Sequence, residues 1–115
     1  MIRKANECPV DVRHEMRGGP GDVTMVALLK EEELLGKGRL FSKIILPPGA
    51  GIGYHVHENE SEIFLVNKGT PLYNDNGKER TVAEGDVLIT PPGAGHSVTN
   101  TTDSEVELVA LIVYA

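Results

Sequence analysis

Cysteine is almost absent: Cys8 is the only one in 115 residues. No internal disulfide can form, and a closed, cysteine-rich zinc site is out of reach. Cys8 itself sits in a polar segment with no activating partner nearby and reads as an incidental thiol. Tryptophan is missing and aromatics make up 4% of the chain, so platforms for stacking bases are scarce. Basic residues are outnumbered, Lys+Arg 11 against Asp+Glu 17, and the formal net charge of -6 repels phosphate backbones. Nucleic acid is therefore not an expected partner. No apolar run is long enough to span a bilayer, and the opening MIRKANECPV lacks the apolar stretch of a signal peptide. A soluble cytoplasmic protein is the expectation.

Long helical patterns are missing too. Residues 1–22 are polar and end in the Gly/Pro cluster RGGPGD, an N-terminal arm that can pack on a partner subunit. Residues 23–115 form the body of a single domain, a length able to bury a core without staples. After VTMVALL (23–29), the stretch KEEELLGKG (30–38) offers one helical turn at most, with Glu31, Glu32 and Glu33 as a solvated face. From residue 39 onward short apolar runs alternate with turn residues: RLFSKIIL, IGYHVH, EIFLVNK, PLYND, KERTV, VLIT, HSVT and EVELVALIVYA. Asn76-Gly77 between two of them is a hairpin signal. This spacing predicts an all-β antiparallel sandwich or barrel. Several runs, IIL, IFLV, VLI and LVALIV, are apolar without a break. A strand with one wet face would alternate, so both faces expect cover, from a second sheet or a second subunit. A homodimer is the expected assembly.

One phrase occurs twice. PPGAG stands at 47–51 and again at 91–95, and each copy runs into histidine: His55 and His57 after the first, His96 after the second. His55 and His57, two apart on a predicted strand, share a face. Glu62 opens the next strand after the polar ENES and can fold back beside them. His96 comes from a distant strand, and a barrel interior would let it join. Three imidazoles and a carboxylate suit a divalent first-row metal. His14 falls outside this pattern and reads as a surface residue. Arg39, Lys43 and Arg80 are candidates to greet an anion, with solvent as the plainer reading. Asn100 reads as a loop brace.

The joint spacing carries a resemblance. Gly49, His55, His57, Glu62 and Gly69 meet the pattern G(x)5HxH(x)4E(x)6G, and Gly85, Pro91, Gly93, His96 and Asn100 meet G(x)5PxG(x)2H(x)3N. These are the two motifs of the cupin family, matched at all ten positions, and the chain resembles a small single-domain cupin of the germin and oxalate decarboxylase group. The resemblance implies a jelly-roll β-barrel (double-stranded β-helix), commonly dimeric. It also implies His55, His57, Glu62 and His96 as metal ligands. Manganese is the first expectation for the ion, with iron, nickel, zinc, cobalt and copper open. Each PPGAG then looks like a turn that returns a strand to the barrel.

Fold does not name the reaction. The leading expectation is a metal-dependent enzyme of decarboxylase, oxidase or dioxygenase type acting on a small organic acid, with an oxalate-like carboxylate as first guess. Its acid/base residue is not identifiable from sequence. Germins are secreted and carry a disulfide, and oxalate decarboxylases carry two cupin domains; with one cysteine and one motif pair in 115 residues, neither specific activity is expected here. The alternative is a non-catalytic, metal-dependent cupin that binds or senses a small molecule. A cupin that has lost its chemistry ranks last, because all four ligand positions are kept.

Overall fold

The computed structural model describes all of residues 1–115. Ten strands account for most of it: β1 (Val10–His14), β2 (Asp22–Leu29), β3 (Gly38–Leu46), β4 (Gly51–Val56), β5 (Glu60–Lys68), β6 (Leu72–Asp75), β7 (Lys78–Thr81), β8 (Val87–Thr90), β9 (Gly95–Thr99) and β10 (Val106–Tyr114). They form a six-stranded sheet in the order β1-β2-β3-β10-β5-β8 and a four-stranded sheet in the order β4-β9-β6-β7. Every pairing is antiparallel. The result is a jelly roll whose two sheets face each other without closing into one continuous sheet. The only helical pieces are 3-10 turns at Ala5–Glu7, Met16–Gly18 and Glu31–Leu34. No helix is long and apolar enough to cross a membrane.

The unbroken apolar runs are explained by strand parity. Ile44, Leu46, Phe64, Val66, Leu108, Ala110 and Ile112 point between the sheets and are buried. Ile45, Ile63, Leu65, Val109 and Leu111 alternate with them and face outward, partly or fully open to solvent. Cross-strand register lines up Val26, Lys43, Val109, Leu65 and Val87 on that outer face, and next to them Phe41, Leu111, Ile63 and Ile89. Two edge positions stand well out, Val87 at 56% and Ile89 at 61% exposure. The inner face makes the core of this chain, and nothing in the chain covers the outer face.

The twice-used phrase is a matched pair of turns. Ala50 N donates to Pro47 O and Ala94 N to Pro91 O, closing the same four-residue turn in each copy. Gly49 and Gly93 hold φ of 82° and 89°. Proline at the second position and a left-handed glycine at the third define a type II turn. The two turns embrace each other's strands: Gly49 N donates to Asn100 O and Asn100 N to Ala50 O, while Gly93 N donates to His57 O and His57 N to Ala94 O. Each turn launches one strand of the antiparallel β4–β9 pair and clasps the end of the other. The repeat thus serves one pair of strands, at whose centre His55 lies opposite His96. Fully buried Asn100 braces the second end, donating to Leu46 O and Ser104 O and accepting from Thr102 N and Oγ1.

The first 22 residues, polar and mixed in sequence, contain a strand after all. All five residues of β1 are exposed, and it is held to the sheet edge by its ladder to β2. The chain then turns at Met16–Gly18 and lies against β4. A Cβ on Gly19 would strike the carbonyl of Gly51 and sit 2.7 Å from Gly53 N, and one on Gly53 would strike the carbonyl of Arg17. Backbone meets backbone here because both residues are glycine.

A candidate metal centre

His55 and His57 come from β4 and the residue after it, Glu62 from β5, His96 from β9. Simple alternation does not by itself bring His55 inward. Ile52 already faces the core, three positions earlier, and period two would send His55 outward. The ladder from β4 to β9 slips between Ile52 and His55, so that Gly53 and Tyr54 oppose the single residue Ser97. This β-bulge resets the parity, turning Tyr54 and Val56 to solvent and both histidines inward.

The structure brings all four side chains together. Their donor atoms lie within 4.8 Å of one another. Nε2 of His96 is 3.1 Å from Nε2 of His57 and 3.2 Å from that of His55. Glu62 Oε1 is 3.0 Å from both His57 Nε2 and His96 Nε2, and 4.0 Å from His55 Nε2. Two ligands on adjacent positions of one metal, each bonded at about 2.1 Å, are roughly 3 Å apart. His57, His96 and Glu62 are almost fully buried, and His55 is 11% exposed.

The opposite ring atoms explain why Nε2 is the inward donor. His55 Nδ1 donates to Gly53 O (2.8 Å) and His57 Nδ1 donates to Glu60 Oε2 (2.6 Å). A carbonyl and a carboxylate only accept, so both rings carry their proton on Nδ1 and aim the Nε2 lone pair at the common centre. His96 Nδ1 meets the hydroxyls of Tyr73 and Thr90, each at 2.9 Å, and its ring stacks on Phe64 at 5.1 Å. Lone pairs this close repel one another unless a cation lies among them. With four donors converging, the set is able to hold a metal ion.

Electrostatics follow from the same contacts. Burial pushes the pKa of His55 down, with the charges of His96, His57 and Arg17 adding to that. Without a metal, His57 is pushed up, first by the Nε2–H bond its doubly protonated ring gives to Glu62, against the opposing effect of burial. Burial would raise Glu62, but the hydrogen bonds from His57 and His96 outweigh it and hold the carboxyl low. Glu60 is lowered to about 2, chiefly by the two-pronged bond from Arg39, whose Nε and Nη2 reach its two oxygens at 2.8 Å each. Tyr73 is pushed up to about 12 by burial, so its phenol stays protonated beside His96.

Above the cluster lies a cavity of about 50 Å³ whose walls include Arg13, Arg17 and Arg39 among apolar side chains such as Met16, Ile44 and Ile112. That volume is far below the roughly 300–1,000 Å³ of a drug-sized site, and takes only a ligand of a few heavy atoms. The larger hollow, about 290 Å³, opens between β7 and β8 and touches none of the four donors. Arg80 lies there, and Lys43 pairs with Glu107 at 3.7 Å, so of the three cations singled out in the sequence only Arg39 reaches the cavity. Glu60, Tyr73, Thr90 and Arg17 escaped the reading of the sequence. For Glu60 a signal was available: it stands two before Glu62 and so shares its strand face.

Known proteins resemble the chain throughout. A family model described as a cupin domain matches residues 42–114. A protein of Thermotoga maritima named "Oxalate-binding protein" is 39% identical over 113 residues, covering 98% of this chain and 93% of its own length. A crystal structure from Thermotoga maritima, described as a predicted oxalate decarboxylase, superposes with a TM-score of 0.95 at 38% identity over the whole of both chains. A cupin domain from Schizosaccharomyces pombe shares the fold alone, with a TM-score of 0.72 at 18% identity, covering 92% of this chain and 69% of that one.

Proposed function

The chain belongs to the cupin family, and from that premise we propose that it is a metal-dependent binder of a small carboxylate, with oxalate the first ligand to test. His55, His57, Glu62 and His96 are the ligands of one divalent ion. Manganese is the ion to load first, since a carboxylate among imidazoles suits it along with iron. Such an ion supplies a Lewis-acid point for carboxylate oxygens. The chain's own residues do the rest. Glu60 holds His57 in the Nδ1–H form, and Tyr73 and Thr90 hold His96. Met16, Met25, Leu40, Ile44, Ile52 and Ile112 keep the cavity walls dry, and three arginines make it cationic inside an acidic protein.

The observation that carries binding ahead of turnover is the inventory of the cavity. Its titratable side chains are Arg13, Arg17, Arg39, His55, His57 and Glu62. The last three are the proposed ligands, and an arginine does not exchange its proton at neutral pH. No side chain is left there to take or deliver a proton, as bond cleavage in an organic acid requires. Calorimetric titration of oxalate into manganese-loaded and metal-stripped protein tests the reading. Saturable binding only when loaded, with no formate or carbon dioxide released under air, is the expected result. Steady turnover would favour the decarboxylase reading instead, and no binding in either state would refute both.

The outer face of the six-stranded sheet supports a second element of the proposal. The apolar rows through Val109, Leu65 and Val87 and through Leu111, Ile63 and Ile89 are what a second copy of the chain would cover, giving a homodimer.

A further inference from the structure

We propose that Arg17 is the residue that selects a doubly charged ligand, its guanidinium meeting the carboxylate that points away from the metal centre. This rests on the carboxylate-binding reading above and assigns its specificity to one side chain outside the residues 42–114 matched by the family model.

Three of the chain's five arginines line the small cavity, yet they are not equivalent. Arg39 is tied to Glu60 by two bonds of 2.8 Å. Arg13 is tied to Asp11 at 2.8 Å. Arg17 has no carboxylate partner and no side-chain hydrogen bond, although the chain as a whole is acidic. It is the one lining cation with all its donors uncommitted. It shares the wall of one cavity with His55, His57 and Glu62.

The backbone that carries Arg17 is built at some expense. Glu15 and Arg17 both sit in the left-handed region, at φ of 50° and 54°. Such conformations cost a non-glycine residue about 1 kcal/mol or more and persist only where the surroundings impose them. Here the imposing contact is the docking of Arg17 and Gly19 onto Gly51 and Gly53, made possible by two glycines. Gly53 is also part of the bulge that turns His55 inward. One local arrangement therefore orients a metal-site histidine and hangs an unpartnered arginine over the same cavity. A guanidinium presents two parallel N–H groups that match a carboxylate. A monocarboxylate that spends its only carboxylate at the metal gains nothing from it; a dicarboxylate does.

The test is calorimetry on the manganese-loaded full chain with oxalate and with glycolate, which keeps one carboxylate and replaces the other by a hydroxymethyl group. Arg17→Ala is expected to weaken oxalate by about ten- to a hundredfold, the worth of a hydrogen-bonded charge pair, and to leave glycolate within about twofold. Metal content should not change, because Arg17 is exposed and is not one of the donors. Arg17→Lys should recover part of the oxalate affinity, since it restores charge without the fork. Unchanged oxalate binding in Arg17→Ala overturns the inference, as does an equal loss for both ligands. If the loaded wild type binds no oxalate at all, the functional reading falls and the inference falls with it.

Discussion

Glu60 is not one of the four proposed ligands, yet its removal should loosen the metal. Its carboxylate accepts the His57 Nδ1 proton at 2.6 Å and is itself gripped by Arg39 at 2.8 Å twice. Glu60→Ala removes a charge-assisted acceptor worth about 1.5–3 kcal/mol, frees the His57 ring to change tautomer, and leaves Arg39 beside the cavity without its partner. Arg39 is 34% exposed, so water compensates part of that last loss. The net expectation is a fall in metal affinity of about ten- to a hundredfold. Glu60→Gln keeps the shape and a neutral acceptor, and should fall about tenfold or less. Competition against a chromophoric chelator at pH 7.5 reads these differences directly. The exposed pair Lys68–Glu105, 3.9 Å apart, serves as control, and Glu105→Gln should leave affinity unchanged. If Glu60→Ala stays within about threefold of wild type, the idea that this carboxylate orients His57 is wrong.

Other outcomes follow from the same geometry. Gly53→Ala forces a Cβ into the Arg17 carbonyl; it should destabilise the fold by about 1–3 kcal/mol and lower the melting temperature by roughly 4 °C or more, whereas an unchanged melting curve would contradict the close docking of the N-terminal turn. The benefit of metal to thermal stability should shrink as pH falls. The metal-free chain gains from protonated His57, whose raised pKa stabilises below 6.5 and fades as pH rises through the folded value, and from Glu62, whose lowered pKa stabilises above 4.5 and fades as pH drops through the folded value. The loaded form needs neutral imidazoles, so the gap between loaded and metal-free melting temperatures should narrow between pH 8 and about 5; a constant gap would argue against histidine ligation. On the outer face, Leu65→Asp should convert a dimer to monomers by light scattering without lowering metal content, since Leu65 is 39% exposed in the single chain.

What could be read from the sequence was whatever repeats with a short period or a fixed spacing. Strands β3, β5 and β10 were legible as apolar runs bounded by turn residues, and Asn76-Gly77 closes β6 and β7 with φ of 51° and 100°. The four donors were legible because motif spacing ties them to the two turns. The bulge at Gly53 and Tyr54 was not, because H-x-H reads the same on a regular strand and on one shifted by a residue. Strand β1 was hidden because its apolar alternation is only two residues long, Val10 and Val12, and both are exposed at the sheet edge. Arg17 was hidden with it: a Gly-rich loop gives no clue to what it packs against, and the clash that makes Gly53 necessary exists only in three dimensions.

The central claim is that four side chains from three strands hold one metal ion. Elemental analysis of untagged protein, purified without chelator and reconstituted with manganese, measures it most directly when run beside His55→Ala. Removing His55 takes away the most exposed of the four donors and leaves the buried core in place. The account predicts close to one ion per chain in the wild type and near-complete loss in the variant, with the circular dichroism of the β-sheets unchanged. No metal in the reconstituted wild type, or equal metal in both proteins, would contradict it.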